Sequence, residues 1–412
     1  MKRLLLPGLS LLLCAYLLSP ADKRDVSQKS FPQEYRLTSV RLPLFSRTYP
    51  IEMELKNGFL IFCLGNSLHI YSATDYSFVQ KVQKTESSSS FQIMRSSSTY
   101  LYVMDVNHKN KIFKYRFDPL GHPTVFQSGF TGVANSMNRP FIVRDSLILY
   151  DEFIPEASLK VHNLYTNKQV RALPYGTTSL NDRFFDKNMG GLYANDTHIA
   201  FVYKYQDRID FFDWQFNLKR SVNHQLSPPV IDRQNRLANI CYYGHSYMGQ
   251  NYFYTLYRGV SNKVFRTDSL SLRLPNGITI YTYGLTRDVL EVYDMDGLPV
   301  ARFYFNDIAP EVFVIDEEQN KLLGYRAAYR DSLLLYQLKG LPKNGKKYPE
   351  QRLSSSSLPA TKEPEDQQST VQFRGFSSDR DISPTYLVPV AGAEGNFIIV
   401  NEATGAFQIK AK

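Results

Sequence analysis

The residues best suited to chemistry are dispersed along the chain, and none completes a catalytic set. Gly244-His245-Ser246-Tyr247-Met248-Gly249 comes nearest. A nucleophile elbow spaces its glycines as G-x-S-x-G, the second one permitting a tight strand-to-helix turn. Here an extra residue separates Ser246 from Gly249, and no alternation of strands and helices flanks it. Ser246 is expected in a strand end or a Gly-rich loop. Asp294-Met295-Asp296-Gly297 has the opening of a calcium loop, but the later oxygen ligands and the closing Glu do not follow at the required spacing. Asp-Gly alone accounts for a hairpin turn there. The histidines (His69, His108, His122, His162, His198, His224, His245) form no H-x-x-x-H or H-E-x-x-H pair. His69 and His162 also fall at different offsets of the repeat described next. We expect no metal and no cofactor.

The elements that must position these residues are strands. One strand-turn-strand unit recurs, anchored at Tyr71, Tyr115, His162, Phe212, Tyr293 and Tyr336. The anchor strands are Ser67–Tyr71, Lys111–Tyr115, Ser158–His162, Arg208–Phe212, Val289–Tyr293 and Ser332–Tyr336. Each alternates with period two, the pattern of a half-buried strand. Turns rich in Asp, Asn and Gly follow most of them, at Thr74–Tyr76, Asp118–Gly121, Tyr165–Asn167, Asp213–Asn217 and Asp294–Gly297. A further strand precedes each, as at Phe59–Leu64 and His198–Tyr203.

Successive anchors lie 44, 47, 50, 81 and 43 residues apart. A four-stranded propeller blade repeats every 40–50 residues or so. The long gap is one blade with an excursion at Arg258–Arg287, between Tyr252–Tyr257 and the next anchor strand. The spacing predicts an all-β chain: a six-bladed β-propeller over residues 22–340. A sandwich or jelly roll has no reason to repeat one hairpin in this way. Residues 341–380 are polar and Pro-containing, and are expected as a disordered linker. Residues 381–412 regain apolar runs and are expected as a C-terminal hairpin.

The first residues read as an export leader. Lys2 and Arg3 precede the apolar stretch Leu4–Leu18, which is too short to span a bilayer. Ser19-Pro20-Ala21 suits cleavage after Ala21, giving a signal peptide at residues 1–21. The rival is lipidation at Cys14, although Leu13 stands where a lipobox wants a small residue. Cys63 and Cys241 sit in apolar runs of distant repeats and are expected as buried, unpaired thiols. Of the 412 residues 43% are hydrophobic and 14% aromatic, an excess that favours sheet. The net charge of +9, or +7 without Lys2 and Arg3, is spread along the chain rather than gathered in a stripe. An exported chain of this kind is not expected to bind nucleic acid.

Tyr254-Thr255-Leu256-Tyr257-Arg258-Gly259, Leu290-Glu291-Val292-Tyr293-Asp294-Met295-Asp296-Gly297-Leu298-Pro299-Val300 and Phe313-Val314-Ile315-Asp316-Glu317-Glu318-Gln319-Asn320-Lys321-Leu322 appear in that order. In these segments the chain resembles a TolB-like six-bladed propeller family of bacterial envelope proteins, many of them lipoproteins. The repeats extend the likeness loosely over residues 35–340. It implies a periplasmic or outer-membrane-associated location, with membrane contact only through a lipid anchor, and members mostly without an assigned activity. The unconventional Cys14 context and the tail after Gly340 depart from that pattern.

Asn195-Asp196-Thr197 fits a glycosylation sequon, a weak signal in a bacterial chain. Asp145-Ser146-Leu147, Asp268-Ser269-Leu270 and Asp331-Ser332-Leu333 resemble an O-glycosylation signal of some envelope proteins, but the repeat itself would generate them. Aromatic side chains on blade loops suit peptide or sugar recognition. Trp214, Tyr242, Tyr243, Tyr247 and Tyr257 are the candidates for ligand contact, with packing between blades as the alternative. The expectation is a non-catalytic binding or scaffolding protein that recognises a protein or glycan through a propeller face. The alternative is a hydrolase or lyase with acidic or His residues gathered at the axis.

Overall fold

In a computed structural model, residues 31–341 are described apart from short connecting segments, together with three strands between 385 and 411. The leader, Cys14 and the predicted linker lie outside the described residues. The chain is all-β, and among the described residues no helix is long and apolar enough to cross a membrane.

Two short strands, β1 (Glu34–Leu37) and β2 (Val40–Pro43), come first. Next comes an antiparallel sheet of β3 (Glu52–Lys56), β4 (Phe59–Leu64), β5 (Ser67–Ser72) and β6 (Phe78–Gln83). The same meander follows in β7 (Phe91–Ser96), β8 (Leu101–Asp105), β9 (Lys111–Phe117) and β10 (Pro123–Phe130). It recurs in β11 (Asn138–Val143), β12 (Leu147–Glu152), β13 (Glu156–Asn163) and β14 (Lys168–Thr177). A further copy is β15 (Gly190–Ala194), β16 (His198–Tyr203), β17 (Arg208–Asp213) and β18 (Leu218–Asn223).

The excursion comes in the following sheet. There β19 (Ile240–Met248) and β20 (Tyr252–Ser261) lead into a separate hairpin, β21 (Ser269–Arg273) with β22 (Thr279–Tyr283). The chain then returns as β23 (Val289–Asp294) and β24 (Pro299–Phe305). The last sheet holds β25 (Val312–Asp316), β26 (Lys321–Tyr325) and β27 (Ser332–Gln337). Its fourth strand is β2, antiparallel to β27 with Val40 opposite Leu335. The first segment of the chain thus completes the last sheet, while β1 adds in parallel to β24.

The first strands of successive sheets adjoin in the order β3, β7, β11, β15, β19, β25, and β25 returns to β3. The series therefore closes around an axis, a β-propeller arrangement. β7 and β11 even pair in parallel, Phe141 opposite Arg95. The sequence pattern predicts half-buried anchor strands, and the structure differs. In β23 Leu290, Glu291, Val292 and Tyr293 are all fully buried. Each sheet lies between two neighbours, so both of its faces are covered. That also explains the apolar run Leu60-Ile61-Phe62-Cys63 of β4, every residue of which is buried. Each such large side chain contributes roughly 1.5–3 kcal/mol of burial.

Three of the outer turns share one arrangement. Oδ1 of Asp118, Asp213 and Asp294 each accepts from the N–H groups two and four residues on. Gly297 takes φ +78° in the last of them, so Asp294–Gly297 is a hairpin turn. At the C-terminus the expected hairpin is a three-stranded antiparallel sheet, β28 (Thr385–Pro389), β29 (Asn396–Asn401) and β30 (Phe407–Ala411).

Candidate functional site

Apart from the added β1 and β2, every sheet runs outward from its axial strand, so the turns into the second strands gather at one end of the axis. These turns are Asn57–Gly58, Ser97–Tyr100, Arg144–Ser146, Asn195–Thr197, Gly249–Asn251 and Glu317–Asn320. Charged side chains from different sheets meet beside them. Alternate residues of β3 reach the neighbouring β7. Glu52 accepts from Ile93 N–H at 2.6 Å, Glu54 pairs with Arg95 Nε at 3.3 Å, and Lys56 Nζ donates to Ser96 O at 2.6 Å. The Arg95 guanidinium also lies 4.2 Å from the centre of the Tyr247 ring on β19. In the ring of axial strands β7 and β19 are separated by two strands on either side. The stack therefore crosses the axis.

This cluster is polar and nearly enclosed. Arg95 Nη1 is shielded from solvent and makes no hydrogen bond, and Glu54 Oε2, equally shielded, is held by its ion pair with Arg95 Nε. The Arg95 side chain nonetheless keeps 21% of its surface open. Burial lowers the Lys56 ammonium pKa, an effect opposed by Glu54, Asp196 and Asp145. Burial pushes the Tyr247 phenol well up. The guanidinium is thus held between the Tyr247 ring and the Glu54 carboxylate.

The mouth is braced by Glu317. Its carboxylate accepts from the backbone N–H groups of Gln250, Asn251 and Tyr252 at 2.9–3.1 Å and from the Tyr254 hydroxyl at 3.1 Å. A Cβ on Gly249 would collide with that carboxylate and would have to push it off these donors. Asp145 accepts from Tyr102 OH at 2.7 Å and pairs with Lys114 at 3.4 Å.

The five aromatic candidates divide. Trp214 is buried and its Nε1 donates to Asn195 O at 3.0 Å, while Tyr243 is buried and donates to Asp207 Oδ1 at 2.8 Å. Tyr242, Tyr247 and Tyr257 are half-buried. Tyr243 and Tyr257 come together at Asp207, Tyr257 OH reaching Oδ2 at 3.2 Å, whereas Tyr247 belongs to the axial cluster. Ser246 is fully buried in β19 and shares a 2.7 Å hydrogen bond with Thr255. Cys63 and Cys241 are buried thiols, not joined in a disulfide, and Cys63 Sγ donates to Phe91 O at 3.1 Å. Among the described residues no three His, Cys, Asp or Glu side chains form a group able to hold a metal ion.

Sequence reasoning missed Glu54, Lys56 and Arg95. The available signal was the alternation of Glu52, Glu54 and Lys56 with Met53 and Leu55, which marks a strand carrying charge on one face.

No protein-family model matches the chain, and no curated protein does. Among solved structures, a protein from Bacteroides fragilis described as exported is 10% identical, with a TM-score of 0.45. The match covers 74% of this chain and 98% of that one. BamB from Moraxella catarrhalis is 11% identical over 70% of this chain and 82% of its own, with a TM-score of 0.34.

Proposed function

We propose that this chain is a six-bladed, TolB-like propeller of the bacterial envelope that binds a protein or glycan rather than transforming a substrate. The Arg95–Tyr247 stack at the mouth of the axis carries the reading. A guanidinium stays protonated throughout the physiological range, so it serves recognition and charge complementarity rather than proton transfer. Its ring platform and its Glu54 partner hold it in place before any ligand arrives, which reduces the ordering cost of binding. Half-buried Tyr242 and Tyr257, near the start of β19 and the excursion, offer a second contact area of rigid aromatic surface.

Export rests on the leader, with cleavage after Ala21 and lipid attachment at Cys14 as its two outcomes. The order of β23, its Asp-Gly turn and β25 supports the family reading, and the ring of axial strands supports the blade count.

The test is capture by the full chain from envelope extracts, run beside a glycan array. The expected result is a saturable partner or glycan whose retention falls when Arg95 or Tyr257 is replaced. Absence of enrichment in both assays overturns the reading. Mass spectrometry of the exported chain distinguishes a new terminus at Asp22 from a lipidated one at Cys14.

A further inference from the structure

We propose that the rim of the propeller at Tyr165, Leu218 and Leu298 is a membrane-contact surface, seated in the interface of a lipid bilayer. This surface is separate from the axis mouth and presupposes only the export proposed above.

Each sheet is an antiparallel meander, so its first and third turns lie at the same end of the axis. The third turns therefore share the side of the mouth. Among the described residues seven large apolar side chains are exposed, and four of them lie in a third turn or directly after it: Leu120, Tyr165, Leu218 and Leu298. Apolar residues scattered singly over a surface need no explanation. These four recur at one place in four successive sheets, and so on one face. Three of the turns are also joined. Arg171 on β14 donates to Trp214 O in the next turn at 3.1 Å, and Arg220 on β18 donates to Asp296 O in the one after at 3.0 Å. Tyr165, Leu218 and Leu298 thus form one arc, with 58%, 52% and 44% of their surface open.

The occupant follows from where the chain enters. β1 is parallel to β24 with Glu34 opposite Arg302, and the Phe31 ring lies 5.6 Å from that of Tyr293, the residue before the Asp294 turn. The described chain therefore begins beside Leu298. Residues 22–30 separate it from Ala21, and the leader that ends there is the segment with the sequence of a membrane-entering one. The end delivered from a bilayer and the apolar arc lie on the same side of the molecule. Within the arc Lys168, Arg171, Lys219 and Arg220 stand against Asp213, Asp294 and Asp296, close to balance. Attraction to anionic headgroups has little share, and burial of the apolar tips carries the contact. The Tyr165 ring suits headgroup depth, apolar at its body and polar at its tip. The arc covers three sheets, so contact there tilts the propeller and leaves the mouth open to a partner.

The experiment is flotation of the exported chain, residues 22–412, with large unilamellar vesicles of phosphatidylcholine and phosphatidylethanolamine. Saturable partition that survives high salt is expected, since salt screens charge and not apolar burial. Tyr165→Ser, Leu218→Ser and Leu298→Ser combined should weaken it about tenfold or more, through the apolar area withdrawn. Ile240→Ser with Val264→Ser removes exposed apolar surface at the other end of the axis, where β19 begins, and should leave partition unchanged. Should the triple variant fail to fold, labelled single variants decide, the native thiols Cys63 and Cys241 being buried. An environment-sensitive dye on Leu218→Cys should shift to the blue with vesicles, and one on Val264→Cys should not. Absent partition, partition abolished by salt, equal losses in the two combined variants, or no shift at position 218 overturns the surface. If the parent ignores vesicles while the triple variant loses a captured envelope protein, the arc belongs to a protein partner and the proposal falls. Vesicle binding with neither partner nor glycan captured removes the role proposed above and leaves this surface standing. Capture without vesicle binding does the reverse.

Discussion

The Tyr243 hydroxyl donates to Asp207 at 2.8 Å, tying the start of β19 to the loop between β16 and β17. Tyr257 reaches the other oxygen of the same carboxylate at 3.2 Å, and the two rings meet edge to face at 5.6 Å. Asp207 thus joins two adjacent sheets through a pair of phenols. Tyr243→Phe removes the shorter bond from a buried carboxylate and should cost about 1.5–3 kcal/mol, the range for a hydrogen bond to a charged group. Tyr257→Phe, at the longer bond and half-exposed, should cost about 1 kcal/mol or less. Urea denaturation of both variants checks the order, and a larger loss for Tyr257→Phe contradicts it.

Trp214 is the only tryptophan in the chain, and it reports on the junction it fills. Its ring is buried beside Phe141, with 6.4 Å between ring centres, and its N–H is spent on Asn195 O. Folded protein should therefore emit at short wavelength and resist acrylamide quenching, with a red shift on unfolding. Trp214→Phe keeps most of the apolar contact but leaves Asn195 O without that donor, at a cost of about 1–3 kcal/mol. Red-shifted, readily quenched emission from folded protein would show the ring to be exposed.

Asn195 answers the sequon directly. Its Oδ1 accepts from the N–H groups of Thr197 and His198, and its Nδ2 donates to Gly249 O at 2.8 Å. The side chain is buried, so folded protein offers no acceptor amide to a glycosylating enzyme. Folded chain exposed to an N-glycosylation system should carry no glycan at Asn195 by peptide mass spectrometry. Asn195→Ala should destabilise by roughly 2–4 kcal/mol, since it strands several polar groups at once.

The parts of the fold legible in the sequence are those where the repeat writes itself locally. Outer turns such as Asp213–Asn217 and Asp294–Gly297 carry their own Asx chemistry, so residue type and spacing were enough to find them. The strands β4, β16 and β26 are visible as the runs Phe59–Leu64, His198–Tyr203 and Lys321–Tyr325. The axial strands were harder, because β15 opens on Gly190-Gly191 and β3 is half charged. The pairing of β2 with β27 is invisible to any local pattern, since it joins residues nearly the whole propeller apart. The axial cluster failed for the same reason. Arg95 and Tyr247 belong together only once the ring has closed.

That closure gives a further expectation. β2 contributes Val40, Arg41, Leu42 and Pro43 opposite Leu335, Leu334, Leu333 and Ser332. Removing the segment through Leu44 uncovers one whole edge of β27 and the apolar cluster to which Leu42 and Leu44 belong. The shortened chain should lose its cooperative melting transition and associate through the bare edge, as light scattering and thermal unfolding would report. A monomer with an unchanged transition would mean that β2 merely rests on the sheet.

Asp145 supplies the acid limb of the stability profile. Burial acts to raise its pKa, but bonds from Ser98 and Tyr102 and the charge of Lys114 outweigh it and hold the carboxyl below its ordinary value. The folded state therefore binds this proton less readily than the unfolded chain, whose Asp titrates near pH 4. Its contribution is fully present above that ordinary value and is lost as pH falls through the lower, folded one. The melting temperature should fall as pH drops from about 5 to about 3. Asp145→Asn cannot titrate, so it should start lower at pH 7 and show a shallower decline. Parallel profiles for the two proteins would assign the acid sensitivity to other carboxylates and leave the Tyr102–Asp145–Lys114 contact without a share in it.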